Sequence, residues 1–294
     1  MSKKDKLDLL NANDPKIGSE IFAKIICEKK GITWNKLKDQ RTHRPVIDLN
    51  ECIFKYIRFE SSEFQTLLHR LVATEITSTK GAFTDLYVNY KGLKYDFGTG
   101  GLHACIESGV YEADENYQII DIDVASYYPN LAIKNKIYPE HLGIIFCEIY
   151  EQIYDARKEA KQSGDKVTDA GLKLALNGTY GKSNDKYSYL YDPKFTMSIT
   201  INGQLLLAML AEKLEKISTI LQCNTDGVTI KIHNDNVAEM KKIIKWGEDL
   251  TQLTLEDAHY SKMIIRDVNN YMAVYTDGRV KYKGAFEIDK EIKG

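Results

Sequence analysis

At 294 residues and 43% apolar content, the chain is long enough to bury a substantial core, as one large domain or two small ones. Its formal net charge of -2 excludes an overall basic footprint for nucleic acid, although a chain-wide sum does not say where the charges lie. There is no run of roughly 18 apolar residues, no apolar stretch behind the opening Met-Ser-Lys-Lys-Asp-Lys, and no Cys-x-x-Cys spacing among the five cysteines. A membrane span, a secretory signal, a disulfide framework and a structural zinc site are therefore all disfavoured, and a cytoplasmic location with reduced thiols is expected.

In chain order, Asp14-Pro15 followed by Ile17, Ile21 and Ile25 and closed by Gly31 predicts a capped amphipathic helix. Ser61, Phe64, Leu67, Leu68 and Leu71 predict a second. Leu93 to Gly101 reads as a strand running into a Gly-rich bend, where the backbone turns tightly or approaches a ligand. Tyr117 to Val124 reads as a strand that mixes carboxylates with isoleucine, with a short helix after Pro129. Two helices at roughly 148–162 and 168–181, separated by Ser163-Gly164-Asp165, predict an antiparallel pair. A helix is expected to begin near Gly203. Thr219–Cys223 and Val228–Ile232 predict a hairpin turning at Asn224-Thr225-Asp226-Gly227. A helix over about 236–253 and a hairpin at Asp277-Gly278 complete the pass, with no internal repeat.

Three constellations carry chemistry. Asp123 closes a strand just before the chain bends, where a carboxylate can project into a cleft; taken alone, a polar strand end explains it equally well. Lys173, Asn177, Tyr180 and Gly181 share one helical face, and Arg157 and Lys161 lie one turn apart on the preceding helix. A triphosphate would suit three converging cations, and a solvated charged face remains the alternative. Asp226 sits at a hairpin tip, ordinary turn chemistry by itself. Its strongly apolar flanks argue for a buried sheet, in which a carboxylate needs a partner or a metal.

Taken in order, the three constellations resemble motifs A, B and C of the B-family DNA polymerases, especially those of bacteriophages. D-x-x-S-x-Y-P is matched by Asp123, Ser126, Tyr128 and Pro129; K-x-x-x-N-x-x-Y-G is matched by Lys173, Asn177, Tyr180 and Gly181. The pattern D-T-D-S appears as Asn224-Thr225-Asp226-Gly227. The stretch from Tyr191-Asp192-Pro193 to Gln204 and the bend at Gly100 and Gly101 resemble phage members too.

The resemblance implies an α+β fold: a palm with a mostly antiparallel sheet plus helices, and a fingers domain of two antiparallel helices. Residues 91–145 would form the first part of the palm, 146–186 the fingers and 187–294 the rest of the palm. Residues 1–90 would be a helical segment linking to, or docking, an exonuclease. Asp123 and Asp226, with the carbonyl of Val124, would hold two Mg²⁺ ions, with Mn²⁺ as an alternative. Arg157, Lys161 and Lys173 would neutralise the triphosphate, and Lys173 would act in catalysis. Tyr128 would lie beneath the sugar and reject ribonucleotides, while Ser126, Asn177 and Tyr180 would complete the nucleotide site.

DNA contacts would come from Gly100, Gly101 and Tyr271. Asn269 stands where the family's Lys-x-Tyr motif has lysine, so Lys281 or Lys283 would restore that charge. The implied activity is dNMP addition to a primer 3′-hydroxyl in viral DNA replication, in a host cytoplasm, on primer-template DNA with dNTPs. The spacings between motifs leave no room for the large insertions of protein-primed phage enzymes. No exonuclease or thumb is readable, so separate chains supplying them are the expected partners. A catalytically idle DNA-binding or scaffold subunit is the alternative; a palm-type RNA polymerase or reverse transcriptase is disfavoured by Tyr128-Pro129 and motif B.

Overall fold

The computed structural model describes residues 14 to 287. The elements begin with α1 (Asp14–Lys30), α2 (Trp34–Leu37), β1 (Ile47–Asp48), α3 (Ser62–Val72), β2 (Glu75–Ile76), β3 (Tyr87–Tyr90), β4 (Leu93–Gly98), β5 (Gly101–Cys105), β6 (Gly109–Glu112) and β7 (Tyr117–Val124). They continue with α4 (Tyr127–Asn135), α5 (Ile145–Ser163), α6 (Lys166–Lys182), α7 (Pro193–Leu214), β8 (Ser218–Asn224), β9 (Gly227–His233), α8 (Val237–Thr251), β10 (Leu255–Asp267), β11 (Asn270–Tyr275) and β12 (Val280–Lys283). The fold is α+β with an antiparallel sheet, as the sequence predicts.

The chain divides into two compact units. One comprises the residues up to Ile47, Glu75–Thr79 and Tyr128–Ile199; the other comprises Asp48–Thr74, Lys80–Tyr127 and the residues from Thr200 onward. Among the described residues, those from 14 to 90 are shared between the two units, and β3 is a sheet strand. The boundaries expected at 145 and 186 also move, because the helical unit takes in the chain from Tyr128 to Ile199.

In the sheet unit the strand order is β12-β11-β10-β7-β9-β8-β5-β4-β3, with β6 paired to β10. β7 lies near the middle and is covered on both faces: Ile119, Ile120 and Ile122 are all fully buried, so its sequence is a nearly continuous apolar run interrupted only by Asp121 and Asp123. β10, a strand of 13 residues, has no regular alternation, since Glu256 and Asp257 stand together as do Met263, Ile264 and Ile265, so its sequence offers no strand period to read. α7 starts ten residues before the predicted Gly203. The Asp192 side chain accepts from the Lys194 amide at 3.0 Å beside Pro193, a ready helix start, but the β-branched run Ser198-Ile199-Thr200-Ile201 masks it.

In the helical unit, α5 and α6 form the predicted antiparallel pair. Gly164 turns at φ +73°, and Asp165 caps α6 by accepting from the Thr168 amide at 3.1 Å. α1 lies against α6 at Gly18, where an added Cβ would come within 2.4 Å of the Leu174 carbonyl oxygen. Phe22 of α1 packs on Phe146 of α5 with ring centroids 5.0 Å apart. This backbone approach admits no side chain, so Gly18→Ala should destabilise the protein by about 1–3 kcal/mol. Chemical denaturation measures it, and an unchanged midpoint would show that α1 is not held against α6.

Candidate active site

In the sheet unit, β7 pairs with β9 in a register that sets Asp123 opposite Gly227 and Asp121 opposite Thr229. The Val124 amide donates to the Asp226 carbonyl at 2.8 Å, which fastens the end of β7 to the hairpin tip. The tip itself is tight: Thr225 takes φ +58°, and the Asp226 amide donates to the Asn224 carbonyl at 2.6 Å. Asp123 at the end of β7 is thereby set beside the hairpin tip that carries Asp226. Gly227 makes this possible, because a Cβ there would lie 2.0 Å from Asp123 Oδ1. The serine of the family pattern would push the Asp123 carboxylate aside from where it now rests.

Asp121, two residues before Asp123, has the same facing and a different fate. It is 5% exposed, and its Oδ1 accepts from the Thr229 hydroxyl at 2.6 Å. Its Oδ2 accepts from the Tyr260 hydroxyl at 2.6 Å and from Lys281 Nζ at 3.3 Å. By contrast, among the described residues no side chain donates to the carboxylates of Asp123 or Asp226, and the Asp226 carboxylate accepts only from its own backbone amide. Desolvation pushes Asp123 up to about 7, and the charges of Asp121, Asp226 and Glu256 add to the rise while Lys281 opposes it. Asp226 is also raised, by desolvation first and by Asp121, against Lys281 and Lys283. Its tip is open to solvent, which limits that rise.

Two neighbouring carboxylates without side-chain donors suit a hard divalent cation, which also takes backbone carbonyls. Among the described residues no group of three or more His, Cys, Asp or Glu side chains is arranged to hold a metal, so such a site rests on these two carboxylates. Asn224 is accounted for locally: its amide donates to the Val268 carbonyl at 3.0 Å, which an aspartate cannot do.

Other predicted residues lie elsewhere than expected. Tyr271 is 3% exposed in a core cluster with Ile119, Leu221, Tyr260 and Met263, and is not displayed on the surface for a DNA strand. Lys281, expected to meet DNA, directs its ammonium at Asp121 and Tyr260, while Lys283 is exposed. Gly101 is buried against the 224–227 turn at φ +122°, 3.0 Å from Thr225 Cα if given a Cβ, so it supports that turn; Gly100 accepts from the Thr225 hydroxyl at 3.2 Å. The sequence pass quoted Asp121 without giving it a role. Its two-residue spacing from Asp123 on one strand was the signal for a second inward carboxylate.

In the helical unit, Tyr128 and Tyr180 pack with ring centroids 4.7 Å apart, joining the two predicted motifs. Lys173 and Asn177 are exposed on α6 and Lys161 on α5. Arg157 is already engaged: its Nε donates to Asp169 Oδ1 at 2.9 Å, across the helix pair and one turn before Lys173. Ser126 ends the β7 connection at φ +46°, in the sheet unit.

Comparison with known proteins brings in two curated relatives. DNA polymerase 1 of Saccharolobus solfataricus is 31% identical over 121 residues, 40% of this chain and 14% of that protein. DNA polymerase 1 of Sulfolobus acidocaldarius is 26% identical over 134 residues, 45% of this chain and 15% of that protein. This chain therefore spans about a seventh of the length of these relatives, and it carries a DNA polymerase-related region. A solved family B DNA polymerase from the hyperthermophilic archaeon Pyrobaculum calidifontis aligns with TM-score 0.47 and 16% identity, over 67% of this chain and 29% of that one. No protein-family model matches the chain.

The raised Asp123 carboxyl makes stability depend on pH. The folded chain binds its proton more tightly than the unfolded chain does, so between about pH 4 and pH 7 stability falls as pH rises. In EDTA, Asp123→Asn should flatten that dependence and raise stability at pH 8 by about 1–2 kcal/mol after allowance for solvent screening. Thermal unfolding at pH 5 and pH 8 reads this directly, and parallel pH profiles for both proteins would refute it.

Proposed function

We propose that this chain provides the palm and fingers of a family B DNA polymerase, adding dNMP to a primer 3′-hydroxyl on a DNA template. The observation that supports this most is the nearness of Asp123 and Asp226 at the β7–β9 junction, neither with a side-chain donor among the described residues, beside an Asp121 held by two hydroxyls and a lysine. A merely structural carboxylate would be saturated, as Asp121 is.

In this reading Asp123 and Asp226, with the Val124 carbonyl, hold Mg²⁺ or Mn²⁺. When bound, the ions would activate the 3′-hydroxyl and neutralise the triphosphate. Lys173 and Lys161, exposed on their helices, attract the phosphates, and Arg157 joins them by exchanging Asp169 for a phosphate oxygen. The tilted ring pair of Tyr128 and Tyr180 would border the sugar and base, with Tyr128 rejecting a 2′-hydroxyl. Ser126 and Asn177 complete the nucleotide site, and Lys283 contacts the DNA backbone. A phage replication system in a host cytoplasm is the setting we favour. Among the described residues no helix is long and apolar enough to cross a membrane.

The engaged Arg157 and the Asn269 departure favour one rival, an idle DNA-binding subunit. Primer extension separates the two. With Mg²⁺ present, Asp123→Asn and Asp226→Asn should each lower dNMP incorporation by about a thousand-fold or more while DNA binding persists. Incorporation equal to wild type, or none from the wild-type chain even with partner chains supplied, would reject the enzyme reading. Tyr128→Ala should raise ribonucleotide use relative to deoxynucleotide use by at least about ten-fold, measured by competing rNTP with dNTP on one primer.

A further inference from the structure

Lys281 presents a physical puzzle. Its Nζ lies 3.3 Å from Asp121 Oδ2 and 3.3 Å from the Tyr260 hydroxyl, and its side chain is only 25% exposed. Asp121 in turn has the same facing on β7 as Asp123, two residues along, or roughly 7 Å. An ammonium at such a distance from a site that collects divalent cations has the wrong sign, and a third carboxylate beside two metal-binding ones offers a competing ligand. Each is harmless only because the other is there.

We propose that Asp121 and Lys281 form a matched charge pair that sets the cation affinity of the Asp123–Asp226 site: Asp121 cancels the ammonium, and Lys281 withholds Asp121 from the ions. Asp121 and Lys281 are positioning residues that touch no substrate. This rests on the metal reading of Asp123 and Asp226 given above, and it gives Lys281 a duty inside the sheet in place of a DNA contact.

The packing supports a built pair. Register sets Ala258 of β10 beside Asp121 on one side and Thr229 of β9 on the other, so the carboxylate has an apolar neighbour and a donor neighbour. Lys281 reaches it from β12, across β11 and β10, with its ammonium 6.0 Å from the Tyr260 ring centroid and 5.9 Å from that of Tyr271. Three elements, β10, β11 and β12, thus contribute side chains to a contact that lies behind the metal carboxylates and meets no solvent-facing partner of its own. The Thr229 hydroxyl, the Tyr260 hydroxyl and Lys281 all donate to Asp121, so three of the carboxylate's roughly four acceptor sites are already taken and little remains for a metal.

The test reads Mn²⁺ binding by electron paramagnetic resonance on the full chain, without DNA or nucleotide, alongside thermal unfolding to confirm folding. Asp121→Asn leaves Lys281 uncancelled and should weaken Mn²⁺ binding about ten-fold. Lys281→Arg should keep the wild-type affinity. The double variant Asp121→Asn with Lys281→Met removes both charges and should return affinity to within about two-fold of wild type, although it lacks every contact of the pair. A purely structural role predicts the opposite, a double variant at least as impaired as Asp121→Asn. That result, or an Asp121→Asn variant that binds Mn²⁺ like wild type, would overturn the proposal. If Asp123→Asn also leaves Mn²⁺ binding unchanged, the metal reading itself has failed, an outcome distinct from failure of the charge pair alone.

Discussion

The register between β7 and β9 is the constraint on which the site depends. Side chains alternate across a strand, so a slip of one residue would turn Asp121 and Asp123 to the other face and bring Ile120 and Ile122 into their place. Burial of Ile119, Ile120 and Ile122 on both sides of β7 makes any such slip costly, and the amide of Val124 bonded to the Asp226 carbonyl closes the pairing at its functional end. The glycine at 227 is the permissive element: the two strands can approach at that point because nothing projects from it toward Asp123. Core packing and site geometry are here the same interaction, viewed from opposite ends of one strand.

Electrostatics then divide three nearby carboxylates into two kinds. Asp121 has a hydroxyl on each oxygen and a cation besides, the arrangement that lets a buried charge persist. Asp123 is half-buried and Asp226 sits on a tip open to solvent; neither has a side-chain donor among the described residues, and desolvation shifts both upward. A fold that tolerates this is holding a local instability in its resting state, which a ligand of opposite charge would relieve.

Much of this was legible in the sequence because the signals were local. The β8–β9 hairpin, the Gly164-Asp165 turn between α5 and α6, and the helix closed by Gly31 each carry their own punctuation in a few residues. What failed did so for identifiable reasons. β10 lacks a regular alternation of polar and apolar residues, and α7 is buried all round, so its sequence has no polar face to mark helical periodicity. The contributions of Lys281, Tyr260 and Thr229 depend on strands 160, 139 and 108 positions from Asp121, and no local pattern announces them. Tyr271 was assigned from a short motif alone, and three-dimensional packing made it a core residue.

The Arg157–Asp169 contact changes what binding at α5 and α6 would mean. A polyanion arriving there meets a guanidinium that is already satisfied, so its gain is the difference between two charge-assisted bonds and not the whole of one. Such an exchange is blind to the base and to the sugar, since it depends only on negative oxygen. It would weaken every nucleotide by the same factor and leave selection to whatever the aromatic wall of Tyr128 and Tyr180 admits. Affinity and discrimination would then be governed by separate residues of one helical unit, free to vary independently.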